Sequence, residues 1–323
     1  MGGTFVVSLD FELHWGVRDR FTVEQYAANL HGAREVVPRM LERFEASGVR
    51  ASWATVGMLF CESRDELLER MPERLPVYED PRLSPYPEVR TLGADERDDP
   101  LHFAPSLVRA VAATPGQEVA THTFSHFYCL EPGQTIEDFE ADLRAAVDVA
   151  RDTGVELRSI VFPRNQVNHD YLPVCARYGL VAYRGNPHMW MHHSRAQGAD
   201  TPLRRGGRLL DAYVPRSGAR ARSPGRPGPH GLVDVPASRF FRPRSRTLAL
   251  LEPRKVARVL AELNDAAGRG AVYHLWWHPH NFGVHQDRHL AQLDAVLERF
   301  RLLREETGMR SLTMAELARE QVA

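Results

Sequence analysis

An α/β barrel is the fold class this sequence predicts. Short β-branched runs alternate with helix-period segments almost from end to end, which favours a parallel sheet joined by crossover helices. No GxGxxG follows the first strand-like run, which disfavours an open dinucleotide-binding sheet. Polar residues gather where the runs end, and barrels of this class carry their chemistry at the C-terminal ends of strands.

The elements follow in order. Residues 4–10 (TFVVSLD) form a β-branched run that ends in an acid. Residues 22–47 read as a helix, opened by a Thr22/Gln25 capping box and closed before Gly48. Residues 51–60 are the second strand, and 118–121 the third, ending at His122. Residues 135–152 form an amphipathic helix that stops near Gly154. Shorter strands are expected at 159–162, 180–183 and 232–235. The run 271–277 (AVYHLWW) is the clearest late strand, with helices at 252–267 and 286–306 on either side. Thr313 and Glu316 cap a last short helix. The chain, 1–323, reads as one domain with insertions around 72–102 and 204–230. The first is rich in Pro and acid, and should form an ordered excursion over the barrel. The second is rich in Arg, Gly and Pro and reads as a surface loop; contact with a phosphate-bearing substrate through Arg204, Arg205 and Arg208 is the sharper alternative.

Composition excludes several classes. The 323 residues hold 41 Lys plus Arg against 42 Asp plus Glu, a net charge of −1. That balance argues against a nucleic-acid binder. No apolar run approaches the roughly 20 residues needed to cross a bilayer. The first ten residues read as a strand and not as a secretory leader, so a cytoplasmic protein is expected. The 3 cysteines are far apart and suggest neither a disulfide framework nor a CxxC zinc site.

Four strand ends carry candidate chemistry. Asp10 and Glu12 alternate onto one side, where two carboxylates repel unless a cation or proton lies between them. His122 and His126 share one face if their segment turns helical, and both could then reach one cation. Unrelated histidines on a solvated turn are the plain alternative. Residues 161–168 (VFPRNQVN) place Arg164 where it could orient a carboxylate or hold an anion. Residues 273–283 (YHLWWHPHNFG) end in His278, suited to proton transfer near neutral pH, whereas His274 reads as a core histidine. Together, one carboxylate and two histidines make a three-ligand site with a position open for water, the pattern of a catalytic zinc. A second carboxylate could accept the water's proton, Arg164 could keep that carboxylate ionised, and a histidine could protonate a leaving group.

This order of motifs resembles the polysaccharide deacetylase superfamily (NodB homology, carbohydrate esterase 4) over the first strand to about Gly283. The resemblance implies a distorted (β/α) barrel of about seven strands with long loop insertions. It implies metal-dependent hydrolysis of an N-acetyl group on an amino sugar, with release of acetate. Zn²⁺ is the expected ion, with Co²⁺, Ni²⁺ or Mn²⁺ as substitutes. Asp10 resembles the catalytic base, Glu12 the metal carboxylate, His122 and His126 the His-(Ser/Thr)-x-x-His metal pair, and His278 the general acid. The family's Arg-Pro-Pro-Tyr motif is replaced here by Phe162–Gln166, with Arg164 as the expected partner of Asp10. Its Asp-x-x-Asp-Trp motif is not evident, and Arg239 or Arg242 is expected in that role. Asn165, Asn168, Trp15, Tyr128 and His280 complete the expected substrate site. The expected partner is a small saccharide or sugar conjugate such as a nucleotide sugar; a homo-oligomer is the default expectation. Two alternatives stand beside this reading: a metal-independent cyclic amide or ureide hydrolase on the same barrel, and a non-catalytic sugar-binding protein.

Overall fold

The protein is described by a computed structural model that covers residues 2–187, 207, 221–222, 225–245 and 247–322. Arg204, Arg205 and Arg208, and with them most of the Arg-rich insertion, lie outside the described residues.

β1 (Thr4–Phe11) is buried along its whole length, and its alternation sorts the core. Phe5, Val7, Leu9 and Phe11 enter the large apolar layer beneath the helices. Val6 joins a smaller cluster with Ala54, Ala120, Ala182, Val233 and Val272. This second cluster is the inner face of a curled sheet, where small side chains fit the narrowing interior. Ser8 and Asp10 continue the inner row.

The remaining strands are β2 (Ala51–Thr55), β3 (Gln117–Thr121), β4 (Ser159–Ile160), β5 (Ala182–Tyr183), β6 (Val233–Asp234), β7 (Arg239–Phe240) and β8 (Val272–Trp277). They lie in the order β6-β5-β4-β3-β2-β1-β8-β7, and every pairing is parallel. β9 (Arg310–Ser311) pairs with the start of β1. The result is the expected distorted barrel, with its strand ends gathered at one rim.

The helices are α1 (Val23–Ser47), α2 (Arg64–Arg70), α3 (Tyr86–Val89), α4 (Pro105–Ala113), α5 (Ile136–Asp152), α6 (Leu172–Arg177), α7 (Glu252–Arg269), α8 (Gln286–Thr307) and α9 (Met314–Val322). α1 begins at the Thr22/Gln25 capping box and ends on Gly48 at φ 67°, a left-handed cap that glycine adopts without a Cβ clash. Met314, Leu317 and Ala318 of α9 join the inner cluster and stop the barrel at the end opposite the rim.

Two expectations need adjustment. The second strand ends at Thr55, and residues 57–60 form a 3₁₀ turn. Gly57 and Met58 donate instead to the carbonyls of Thr123 and Phe124, so the chain leaves the sheet to support the turn after β3. β7 and β9, two residues each, stand outside the expected strands. The 72–102 insertion is ordered and carries α3.

Candidate active site

Glu12 stands one residue beyond β1. Its Oε2 lies 3.3 Å from Nε2 of His122 and 3.2 Å from Nε2 of His126. One ligand atom from each of the three residues falls within 4.8 Å of the others, and all three residues are buried. Nδ1 of His122 lies 2.8 Å from the carbonyl of Val161. A carbonyl only accepts, so Nδ1 carries a ring proton and Nε2 is the nitrogen left to ligate. That Nε2 is buried and has no hydrogen-bond partner among the described residues. A backbone acceptor behind a ligating imidazole is the usual support of a metal-binding histidine. Gly16 makes room for the carboxylate: an added Cβ there would stand 2.0 Å from the Glu12 carboxyl carbon. Burial would raise the Glu12 carboxyl, but His278, His122 and His126 hold it well below its ordinary value. Burial lowers His126 to about 4, against the pull of Glu12. A carboxylate and two imidazoles are the donor set that suits zinc or a similar divalent ion.

The two histidines do not converge by helical spacing. Residues 122–128 form an irregular turn, with Thr123 at φ 65° and His126 at φ 60°. Those left-handed residues bring the imidazoles together with ring centroids 5.1 Å apart.

Asp10 is held by Arg184, directly after β5. Nη1 of Arg184 donates to Oδ1 at 2.6 Å and Nη2 to Oδ2 at 2.7 Å. Nη1 also donates to Ser8 Oγ at 3.1 Å, and Nη2 and Nε donate to Asn165 Oδ1 at 2.8 and 3.2 Å. All five guanidinium hydrogens thus have acceptors. The guanidinium lies over the Trp276 ring, 4.2 Å from its centroid. Burial would raise Asp10, but Arg184, then His278 and His122, hold it below its ordinary value. The Arg164–Asp10 pairing expected from the sequence is corrected: Arg164 pairs with Asp19 and lies over the Tyr128 ring, 4.4 Å from its centroid. Its backbone turns left-handed at φ 54°, carrying the side chain away from Asp10. Arg184 was not singled out in the sequence, although it directly follows the strand expected at 180–183 and the rule that chemistry follows strand ends would have selected it.

His278 faces both carboxylates. Its Nε2 is 3.6 Å from Asp10 Oδ2 and 3.6 Å from Glu12 Oε1. Its Nδ1 lies 3.3 Å from the Asn281 side-chain amide. His280 stacks on His278 at 4.9 Å, with Nδ1 3.8 Å from Glu12 Oε1. Burial, then His278, push it down to about 3. Phe240, not anticipated from the sequence, packs against Trp276 at 4.6 Å and His278 at 5.8 Å. His274 is the core histidine expected: Ser8 Oγ–H donates to its Nε2 at 2.8 Å, and its Nδ1–H donates to Val235 O at 3.1 Å.

The other residues expected to touch substrate divide by their partners. The Asn165 side-chain oxygen is occupied by Arg184. Asn168 accepts from the Asp170 N–H and donates to Cys129 O at 3.2 Å, knitting two loops. Arg239 points behind β8, where its Nε donates to Glu262 at 2.6 Å; register places it on the face opposite Phe240. Trp15 is buried and donates to His102 O at 2.9 Å. The polar atoms named for these four residues are used within the fold. Tyr128 is buried edge-on to His126 at 5.1 Å. Arg242 extends over Phe240, 5.6 Å from its centroid.

No protein-family model and no curated protein matches the chain. Solved structures do match in fold. A Mycobacterium smegmatis protein assigned as a polysaccharide deacetylase superposes with TM-score 0.60 at 16% identity, over 100% of this chain and 91% of that one. PuuE allantoinase gives 0.56 at 10%, over 98% and 88%. A GH57-type branching enzyme of Pyrococcus horikoshii gives 0.53 at 15%, over 99% and 70%. The chain therefore has the barrel fold shared by polysaccharide deacetylases, an allantoinase and a glycan-branching enzyme. No helix among the described residues is long and apolar enough to cross a membrane.

Proposed function

We propose that the protein is a metal-dependent hydrolase that removes an N-acetyl group from an amino sugar, free, nucleotide-linked or part of a glycosylated metabolite, and releases acetate. One observation carries the proposal: a buried Glu12–His122–His126 cluster stands beside an aspartate held ionised by a fully satisfied arginine.

Glu12, His122 and His126 would hold a divalent ion, which supplies Lewis acidity that acidifies water and polarises an amide carbonyl. Asp10 accepts the water's proton at Oδ2, and Arg184 fixes that carboxylate in charge and direction. His278, as the imidazolium, faces both carboxylates through Nε2, delivers that proton to the departing amine and is left neutral. Phe240 and Trp276 wall the site beside His278. A glycosidase reading is disfavoured on charge. Glycoside cleavage needs one carboxylic acid kept protonated by a raised pKa, whereas Asp10 and Glu12 are both held low. The intact ligand cluster weighs against metal-free ureide chemistry and against a non-catalytic sugar binder.

Metal content of wild type and His122→Ala, measured beside acetate release from N-acetylated sugars and sugar nucleotides, tests the proposal. Near one equivalent of ion in wild type, lost with activity in His122→Ala, is expected. Asp10→Asn should keep the ion and lose activity. A wild type that takes up neither zinc nor cobalt, or a fully active Asp10→Asn, overturns the reading.

A further inference from the structure

The turn that carries both histidine ligands cannot hold itself. Thr123 and His126 are left-handed, and each such non-glycine residue costs about 1–2 kcal/mol. Local bonds supply part of the support: Thr123 N donates to Thr121 Oγ1 at 2.9 Å, and Phe127 N to Thr123 Oγ1 at 2.7 Å. The middle of the turn looks outward. Phe124 N and Ser125 N donate to Oδ1 of Asp142 at 2.7 and 3.4 Å, and Ser125 Oγ donates to its Oδ2. Asp142 lies on α5 and is fully buried. A fourth donor comes from the 72–102 insertion, where Tyr86 Oη reaches Asp142 Oδ2 at 3.2 Å. The same insertion grips the far end of the turn, because Tyr128 N donates to Tyr78 Oη at 3.0 Å. It also reaches the segment after Glu12: Arg18 Nε donates to Glu88 at 3.0 Å, and a His14 ring nitrogen lies 2.8 Å from one of His102.

We propose that Asp142, braced by Tyr86 of the insertion, is a positioning residue for the ion site: it fixes the backbone between His122 and His126 so that both imidazoles converge on Glu12. Asp142 touches neither ion nor substrate. It replaces the hydrogen bonds a helix would give this segment, and so permits a turn that helical backbone could not make. The insertion, on this view, is a brace for the ligand-bearing turns.

The inference rests on the ion site proposed above, and zinc affinity separates the two. Competition with a chromophoric chelator gives the zinc Kd of wild type, Asp142→Ala, Asp142→Asn, Tyr86→Phe and Val149→Ala. Loss of a group that orients ligands typically costs about 10–100-fold in affinity, and that loss is expected for Asp142→Ala. Asp142→Asn keeps an oxygen for the Phe124 N–H and should recover most of the affinity. Tyr86→Phe should weaken binding a few-fold. Val149→Ala, buried on the same helix, should lower Tm and leave Kd unchanged. A folded Asp142→Ala with wild-type Kd overturns the inference. If that variant does not fold, an unchanged Kd in Tyr86→Phe overturns it. Absence of zinc uptake by wild type overturns the ion site, and this inference with it.

Discussion

At the scale of single residues the site is a contest between burial and charge. Asp10 and Glu12 are both buried, which alone would protonate them. Asp10 stays ionised chiefly through Arg184, so Arg184 governs the acid side of activity. In Arg184→Met, burial acts unopposed by the guanidinium, and the Asp10 carboxyl rises. A base works only when ionised, so the acid limb of kcat/KM must move to higher pH. Arg164→Met removes the partner of Asp19 and should leave that limb in place. A pH–rate profile of both variants checks the pair; an unmoved limb in Arg184→Met would sink the assignment. Asp10, Glu12, His122 and His278 were legible as candidates because each lies at a strand end or directly after one, and His126 through its spacing from His122. The sequence concealed the pairing of Arg184, which lies 174 residues from its partner. A pairing across the barrel has no local signature; Arg164 had the right chemistry in a visible motif, and backbone geometry at φ 54° sent it elsewhere.

Helices and strands were legible in proportion to their length and caps. α1, α5 and α8 carry periodic apolar faces, and α1 and α5 open on capping boxes, so their bounds could be placed closely. The His122–His126 turn was not legible, because its shape comes from Asp142 and the insertion and not from its own residues. One close approach between elements carries a prediction. Gly32 of α1 meets the loop that bears His278 and His280: an added Cβ would stand 1.9 Å from Gly283 O. On the same side, Asn29 Nδ2 donates to His280 O at 2.9 Å. Gly32→Ala must push that loop away from α1 at an overpacking cost of about 1–3 kcal/mol. The metal ligands lie on other segments. The expected variant therefore keeps its ion, melts earlier and turns over slowly. Retained kcat with an unchanged Tm would show that the loop tolerates the displacement and that His278 does not depend on it.

Over the whole molecule, the two ends of the barrel are built for different ends. The rim gathers buried charge around a candidate ion site, whereas the opposite end is sealed by α9 and a polar knot centred on Glu118. Ser52 Oγ and Ser159 Oγ each donate to Glu118 at 2.6 Å, and Ala315 N donates at 3.3 Å. Ser52 Oγ in turn accepts from Met314 N at 2.9 Å. This one carboxylate therefore ties β2, β4 and the start of α9 to β3. Glu118→Ala leaves buried hydroxyls and an N–H without their acceptor, at about 1–3 kcal/mol per group. No residue of the knot belongs to the ligand cluster, and in barrels the strand N-terminal face serves stability more than chemistry. The variant should unfold at lower denaturant concentration, while its metal stoichiometry and KM in the folded protein stay at wild-type values. Chemical denaturation beside metal analysis makes the comparison. Loss of the ion from a still-folded Glu118→Ala would mean that the two ends are coupled through β3, whose last residue, Thr121, precedes His122 directly.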